Sequence, residues 1–452
     1  MSKTFRPWEP RQSYLLPPSP QEWLPEGHLA YFILDTVGEL DLSAITAEYE
    51  RELRGYPPYH PVMMVALLLY AYCVGVPSSR KIEKRTYEDL GFRVIAAGQH
   101  PDHVRISEFR RRHLKALSAL FLQILRLCRE AGLVKLGHVS LDGTKVKANA
   151  SKHKAMSYER MQKEEERLKA KVKELLAAAE RVDAEEDARY GKDRHGDELP
   201  EELRRTETRV ARIRELKAKL EAEAKAQQEA AQDHDDDEPP CSGGSTELPE
   251  HQVPTAKDGT PTAKAQRNFT DGDSRIMKAG DGFVQGYNAQ AVVDAGHQII
   301  VAQTVTNQPP DVEHFAPMME QTIANCEQVP DKVSADAGYF SEDNVAYALN
   351  QGIDPYIATG RRKHGEPAPT VRGRPPKDMT LKQEMARKLA TRAGAGVYAR
   401  RKAIVEPAFG QIKDARGFRR FLLRGIDKVT AEWSLITMTH NLLKLFAAAQ
   451  PA

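Results

Sequence analysis

Residues 137–148 read GHVSLDGTKVKA, and this stretch decides which fold the chain builds. Val139, Leu141 and Val146 give it the apolar pattern of a β-strand, yet it carries Asp142. It continues into TKVKANASKHK, where no acid balances the lysines. An aspartate before glycine is typical of a turn. A carboxylate at the end of a buried strand also suits a metal ion that faces a polyanion, so both interpretations stay open.

Strand signals resume after Phe269 and complete an α/β pattern. Residues 282–307 contain two apolar runs joined by DAGH, which predicts a β-hairpin. Beyond it we predict a helix, a strand, a helix capped by Ser341 and a strand, over residues 311–326, 331–340, 341–352 and 354–358. Counted from Val139, this order predicts a mixed sheet flanked by helices.

The first 132 residues show apolar positions at helical spacing and predict an all-α domain. Within it, residues 78–92 and 101–115 fit a helix-turn-helix that binds DNA. The first helix would be capped by Ser78 or Ser79 and the second would open near Ser107. The second helix would present three arginines, Arg110, Arg111 and Arg112. A solvated arginine face explains the same residues.

Residues 152–265 differ in composition and predict an insertion. Two long runs rich in Ala, Glu, Lys, Arg and Leu predict a pair of solvated helices with a narrow apolar seam. The seam would hold Leu168, Val172 and Leu175 on one helix and Val210, Ile213, Leu216 and Leu220 on the other. The acidic and Gly/Ser/Pro-rich segment that follows predicts a disordered linker, and a metal-binding role for its DHDDDE is the less favoured alternative. We therefore expect the catalytic domain to comprise residues 133–151 and 266–452.

Charge and cysteine usage narrow the class of protein. Lys and Arg total 66 against 64 Asp and Glu, which favours no partner, but residues 361–428 contain 19 basic and 6 acidic residues. Such a cluster is typical of a phosphate-backbone binder.

Four scattered cysteines indicate neither a zinc site nor a disulfide framework, which fits a reducing cytosol. The longest apolar run, residues 61–76, is shorter than the roughly 20 residues of a membrane span, so we expect no membrane partner.

Two more acids are candidates to join Asp142. Asp336 also follows an apolar run, so both aspartates should lie at strand ends on one edge of the sheet. Glu406 adjoins Ile404 and Val405, which should face the core and leave the glutamate at its boundary. Alone, each aspartate is explained as a turn residue and Glu406 as an ion-pair partner.

Converging carboxylates repel one another, so they persist together where divalent cations neutralise them. Mg²⁺ takes a few carboxylate oxygens and keeps phosphate oxygens as further ligands. Two such ions can activate a nucleophile and stabilise the leaving oxygen of a phosphodiester. The basic residues that would hold the polyanion are Lys145, Lys147, Lys402, Lys413 and Arg416.

Five blocks occur in order along the chain: HVSLDGTKVKANASK, NFTDGDSRIMK, GFVQGYNAQAVVD, VSADAGYFS and VEPAFGQIK with GFRRFLLRG. Together they resemble the DDE transposases of bacterial insertion sequences, in the group with a Tyr, Arg, Glu, Lys signature. The resemblance implies a ribonuclease-H-like core with Asp142, Asp336 and Glu406 as catalytic residues and metal ligands. It also implies that Lys413 is the signature lysine.

The chain departs from the signature before the glutamate. Lys402 stands where the arginine is expected, and Tyr398 lies one residue out of register, with Arg400 and Arg401 as substitutes. We expect Arg401 to bind DNA, and Tyr398 is a candidate to support the site. In the NFTDGDSRIMK block, Asp271, Asp273 and Arg275 either support the site or form an ordinary turn into a strand.

These observations predict a DNA transposase that cuts the ends of its element and transfers them to a target. The resemblance implies two Mg²⁺ ions, with Mn²⁺ able to substitute. It also implies double-stranded DNA as substrate and a homodimer on DNA, in the cytoplasm at the nucleoid. Two alternatives stay open: a ribonuclease-H-like nuclease that only hydrolyses, and a DNA-binding remnant with a decayed catalytic core.

Overall fold

The computed structural model describes residues 24–51, 57–190, 201–233, 252–256, 258–279, 282–360 and 378–450, with a few single positions between them. Most of residues 234–251, the acidic part of the predicted linker, and most of residues 361–377 lie outside the described residues. Residues 252–256 and 258–265, which we expected to be disordered, are described, and Val253 and Ala265 are buried against the predicted pair of long helices, so this part of the prediction was wrong. The chain divides into two compact units, Met1–Ala116 with Phe446–Ala452, and Leu117–Leu445. The predicted division into an amino-terminal domain, an insertion and a catalytic domain stays a prediction.

The first unit is helical in its described part. Its helices are α1 Leu29–Glu39, α2 Ser43–Glu50, α3 Pro61–Cys73, α4 Ser79–Glu88, α5 Leu90–Ile95 and α6 His103–Arg112, followed by the first turn of α7 Leu114–Glu130. Helix α3 is apolar on all sides, and every residue from Met63 to Cys73 is buried. It therefore forms the centre of the unit, as a helix without a polar face must. None of the described helices combines the length and apolar character of a membrane span.

The predicted helix-turn-helix needs two corrections. Helix α6 begins at His103, because the Asp102 carboxylate accepts hydrogen bonds from Val104 N at 2.9 Å and Arg105 N at 3.0 Å, so an opening near Ser107 was wrong. Arg110 is buried and donates to the Tyr72 hydroxyl at 3.2 Å and to Pro77 O at 2.8 Å. It holds the unit together, whereas its two neighbours Arg111 and Arg112 are exposed as predicted.

The second unit is built on a mixed sheet, as predicted. Its strands in chain order are β1 Val139–Lys147, β2 Ala155–Ser157, β3 Gln266–Asn268, β4 Arg275–Ala279, β5 Gly282–Asp294, β6 Ile300–Thr306, β7 Lys332–Ala335 and β8 Asp354–Ile357. The large sheet has the order β4-β5-β1-β7-β8, with β6 also paired to β5. Strands β4, β5, β6 and β1 pair antiparallel, while β1, β7 and β8 pair parallel. The predicted hairpin of β5 and β6 is confirmed.

Helices cover the sheet. After α7 the helices of this unit are α8 Tyr158–Tyr190, α9 Glu201–Asp233, α10 Phe315–Cys326, α11 Glu342–Asn350, α12 Leu381–Ala390, α13 Arg392–Gly410 and α14 Ile426–Ala449. Helix α13 packs against β1, β5, β7 and β8 and continues into a π-helical turn, Gln411–Ala415. From α14, the fully buried Trp433 donates to Gln290 O at 3.2 Å. The sheet core therefore lies between its strands and these carboxy-terminal helices.

Helices α8 and α9 pair with each other and with the small β2–β3 sheet. Their contacts run antiparallel, because Tyr158 donates to Glu221 at 2.6 Å while Glu164 lies 3.3 Å from Arg209. The buried members of the predicted seam are Leu168, Val210, Ile213, Leu216 and Leu220, joined by Met156, Met161, Val253 and Ala265. The remaining predicted members, Val172 and Leu175, are half-buried.

Candidate functional site

Asp142 and Asp336 are neighbours at one edge of the sheet. The parallel pairing of β1 with β7 ends at Leu141 opposite Ala335. Asp142 and Asp336 are the residues that directly follow this last pair, one on each chain segment. We expected Asp142 to close its strand, and this was wrong: β1 continues to Lys147 in antiparallel pairing with β5. The Asp-Gly pair at Asp142 is therefore not a turn; it lies where β1 loses its parallel partner.

Burial and charge set the state of Asp142. Its side chain is 21% exposed and accepts hydrogen bonds from Gly143 N at 2.8 Å and from the Arg401 guanidinium at 2.9 Å. Burial raises the pKa of Asp142 to about 6, the nearby Asp336 adds to this, and Arg401 opposes it. The carboxylate of Asp336 accepts from Gly338 N at 2.8 Å and caps the short helical turn Ala337–Tyr339.

Helix α13 brings a tyrosine and an arginine to these carboxylates. Arg401 is 12% exposed, and its guanidinium lies 5.9 Å from the centre of the Tyr398 ring. Burial raises the pKa of Tyr398, and the charges of Asp336 and Asp142 act in the same direction. We name Asp142, Asp336, Arg401 and Tyr398 the carboxylate edge. Arg401, one of the two substitutes for the signature arginine, is thus the residue that contacts Asp142, and the out-of-register Tyr398 lies beside it.

Glu406 lies on the same helix but is exposed to solvent. It follows Arg401 by five residues, which turns it by about 140° around the helix axis. Within the described ranges, no three His, Cys, Asp or Glu side chains are grouped closely enough to hold a metal ion. The structure thus brings two of the three predicted acids together, and the assignment of Glu406 as the third stays a prediction.

The predicted DNA-binding lysines and arginines divide into inward and outward groups. Lys145 donates to Pro309 O at 3.0 Å, and Lys413 donates to Thr144 Oγ1 and to Lys145 O, so both hold the β1 region together. Burial lowers the pKa of Lys413. Lys147 and Lys402 are exposed, as a DNA contact requires.

Arg416 needs a correction because it is buried. Its guanidinium donates to Thr439 Oγ1 at 2.8 Å and to Ile436 O at 3.1 Å, both on α14. A side chain in this position stabilises the packing of the π-helical turn on α14 and is not presented to DNA. Sequence reasoning placed it outside because arginine is seldom buried without a partner.

The turn Thr270–Asp273, which we name the TDGD turn, has a structural part to play. Asp271 is buried and accepts from the Tyr287 hydroxyl at 2.8 Å and from Gly425 N at 3.2 Å. Asp273 accepts from Ile426 N at 3.0 Å, at the start of α14. Arg275 is buried and donates to Gly272 O at 2.6 Å. These three residues connect β4 and β5 to the beginning of α14 and lie away from the carboxylate edge.

One acidic residue near the carboxylate edge escaped the sequence analysis. Asp311, between β6 and α10, accepts hydrogen bonds from Lys145, Asn288 and Gln290. An aspartate in NQPPDVEH reads as a loop or helix-start residue, and no periodic pattern marks it. Only the spacing of β1, β5 and the loop in three dimensions reveals its position.

Two protein-family models match successive parts of the chain. A model described as a transposase DDE domain matches residues 250–442, which include Asp336 and Glu406. A model described as a transposase domain matches residues 18–112, within the helical unit. No curated protein and no solved structure matches the chain significantly.

Proposed function

We propose that this chain, which belongs to the DDE transposases of insertion-sequence type, cuts DNA at the ends of its element and joins each freed 3′-hydroxyl to target DNA. Transposition is the process in which both matched domains take part. The observation that carries the proposed chemistry is the pair of neighbouring carboxylates, Asp142 and Asp336, with Arg401 beside them. Paired acids beside a basic helix suit phosphodiester chemistry.

The sheet supports a ribonuclease-H-like core. Without the short strands β2, β3 and β4, the order is β6-β5-β1-β7-β8, antiparallel on one side of β1 and parallel on the other. The candidate acids lie on the central strand and at the end of the strand beside it. Ligand sites in open α/β sheets lie at this edge, beyond the carboxyl ends of parallel strands.

The family uses divalent metal ions, and the carboxylate edge fits them. Its ligands are hard oxygens, which Mg²⁺ and Mn²⁺ prefer. A cation would offset both the repulsion between the two carboxylates and the cost of burying the charge of Asp142, which raise its pKa. In our proposal Asp142 and Asp336 hold two ions and Glu406 completes the ligand set. The chemistry that such a pair supplies when bound is activation of the attacking oxygen and stabilisation of the leaving oxygen.

The chain's own groups then have separate parts to play. Arg401 neutralises Asp142 in the structure by donating to one of its carboxylate oxygens. The same guanidinium would suit a DNA phosphate, because its forked geometry matches two phosphate oxygens. Lys413 keeps Thr144 and the β1 backbone in place, so that Asp142 stays at the edge.

Exposed basic residues on α13, in the loop after its π-helical turn and at the end of β1 supply the proposed DNA surface. They are Lys147, Arg400, Lys402, Arg419, Arg420 and Arg424. Lys147 N donates to Arg419 O, which ties the loop after the π-helical turn to the end of β1. Phosphate contacts from such a surface position DNA without reading its sequence. Binding of two element ends by a homodimer, on DNA of the nucleoid, completes the proposal.

Cleavage of a DNA fragment that carries the gene's own flanks tests the proposed function. We expect cuts at the element ends in Mg²⁺ or Mn²⁺ and none in EDTA. Asp142→Ala, Asp336→Ala and Glu406→Ala should each abolish cutting, and Asp354→Asn, at the opposite edge of the sheet, should not. Full activity in all three alanine variants would refute the site.

Joining separates the proposed function from its two rivals. With a pre-cut end oligonucleotide, a transposase inserts the oligonucleotide into a target plasmid, whereas a nuclease that only hydrolyses gives shortened products. A DNA-binding remnant gives neither product but retards the fragment in a gel. The pair of acids favours the transposase over the remnant.

A further inference from the structure

We propose that Asp311 is a fourth acidic residue of the site, a positioning residue that fixes the Asp336–Tyr339 segment against β1 and β5. This inference rests on the proposed function and deepens it. Asp311 is partly buried, with 25% of its side chain exposed. One carboxylate oxygen, Oδ1, accepts from Lys145 Nζ at 3.3 Å, Asn288 Nδ2 at 2.7 Å and Gln290 Nε2 at 2.9 Å. Three donors from two strands thus converge on one oxygen.

The strand register explains how the donors reach it. On the paired strands Lys145 lies opposite Asn288, and Gly143 lies opposite Gln290. Side chains directly opposite in a pair point to the same face of a sheet. A Cβ on Gly143 would lie 2.5 Å from Gln290 Nε2, so only glycine leaves room for this amide. The glycine after Asp142 therefore opens the path by which Gln290 reaches Asp311.

The network then continues to the segment that carries the second predicted catalytic acid. The Tyr339 hydroxyl, fully buried, donates to Gln290 Oε1. Tyr339 is three residues after Asp336, in the turn that the Asp336 carboxylate caps. A chain of hydrogen bonds thus joins Asp311 through Gln290 to the Asp336–Tyr339 segment.

The second oxygen of Asp311 faces the same segment. A Cβ on Gly338 would lie 3.4 Å from Asp311 Oδ2 and 3.0 Å from Asp336 Oδ1. The two carboxylates therefore both lie close to the same point beside Gly338. Lys145 is the cation closest to Asp311, since burial lowers the pKa of the neighbouring His314 to about 4 and leaves its ring uncharged at neutral pH. Lys145 thus balances a charge that would otherwise repel Asp336.

The experiment uses the full chain and Mn²⁺ alone as the probe. Calorimetry measures Mn²⁺ binding to the wild type, Asp311→Ala, Asp311→Asn and the control Asp354→Asn. Asp354 is also an aspartate of this sheet that pairs with a lysine, Lys388, but it lies at the opposite end of the parallel strands. Thermal unfolding and DNA affinity in EDTA are measured beside it.

We expect Asp311→Ala to weaken Mn²⁺ binding by about 10- to 100-fold, as loss of a group that orients metal ligands does. Asp311→Asn keeps a carbonyl acceptor for the two amides and should recover part of the loss. DNA affinity in EDTA should not change. If Asp311→Ala does not fold, Asp311→Asn decides, and its Mn²⁺ affinity should fall between wild type and a tenfold loss.

Wild-type Mn²⁺ affinity in both Asp311 variants would overturn the inference, and so would an equal loss in Asp354→Asn. If at the same time the wild type cuts its ends and Asp142→Ala does not, the proposed function survives without Asp311. If the wild type neither binds Mn²⁺ nor cuts DNA, both proposals fail together.

Discussion

Asp142 at the carboxylate edge and Asp271 in the TDGD turn are both aspartates whose pKa is raised by burial, yet their partners differ. Asp271 receives a tyrosine hydroxyl and a backbone amide, groups that cannot leave without unfolding the turn. Asp142 receives the backbone amide of the next residue and the Arg401 guanidinium, and it keeps 21% of its side chain exposed. The two aspartates also lie apart. Tyr287, which donates to Asp271, pairs with Val146, and Val146 lies four residues along β1 from Asp142, or roughly 13 Å.

The difference separates a carboxylate that stabilises the fold from one that is available to a ligand. A fully buried tyrosine hydroxyl and the amide of a distant loop fix the Asp271 carboxylate in one place, whereas the arginine that neutralises Asp142 is exchangeable for a cation. A raised pKa alone does not distinguish the two regions; the identity of the donor does. The predictions that follow test this distinction, in order of expected effect.

The largest effect should come from the carboxylate edge. Asp142→Asn or Asp336→Asn removes a ligand charge, and metal stabilisation worth several kcal/mol corresponds to a loss of about 10³-fold in the cutting rate. Single-turnover cleavage of an end fragment measures it, and in urea unfolding Asp142→Asn should be at least as stable as the wild type at neutral pH, because burial disfavours the Asp142 charge. A loss below tenfold would place Asp142 with the structural aspartates.

The next effect is the pH dependence of the metal-free protein. Burial raises the pKa of Asp142 to about 6 in the folded state, against an ordinary value of 3.8, so folding favours the protonated form. This stabilisation is complete below about pH 4 and is lost as the pH rises through about 6. Wild type should therefore lose on the order of 3 kcal/mol more than Asp142→Asn between pH 4 and 7. Urea unfolding of both proteins at each pH measures this. Unfolding free energies that change equally with pH in the two proteins would contradict it.

Substitutions in the TDGD turn should lower the stability of the fold and leave the cutting rate of the folded molecules nearly unchanged. Asp271→Ala leaves the buried Tyr287 hydroxyl and Gly425 N without their acceptor, so the free energy of unfolding should fall by about 2 kcal/mol. Asp273→Ala, at a position whose side chain is 42% exposed, should cost about 1 kcal/mol as the loss of a helix cap. Cutting per folded molecule should stay near the wild-type rate. A stable but inactive Asp271→Ala would move the turn into the catalytic site.

Sequence patterns correctly predicted the elements that depend on local residue spacing. The β5–β6 hairpin, the strand before Asp336 and the Ser341 cap of α11 all follow from alternation and turn chemistry within a few residues. The same patterns put Asp142 and Asp336 on one edge, because the carboxyl ends of parallel strands meet there.

The rest depended on helix phase and strand register, which no local pattern carries. One residue along a helix turns the side chain by about 100°, so the choice between Arg401 and Lys402 decides which cation meets Asp142. The positions of Asp311 and of buried Arg416 depend on contacts between segments far apart in the chain. Sequence alone therefore located the acids better than their partners.

The smallest effect concerns the two kinds of cation. Lys402 is exposed, so Lys402→Gln should weaken DNA binding by roughly three- to tenfold and lower the salt-dependence slope by about one. Buried Arg416 donates to α14, so Arg416→Gln should lower the unfolding free energy and leave the salt slope unchanged. Fluorescence anisotropy with an end fragment over a salt series measures both. A slope that falls for Arg416→Gln but not for Lys402→Gln would reverse the division into inward and outward cations, because counterion release follows the charges that reach phosphate.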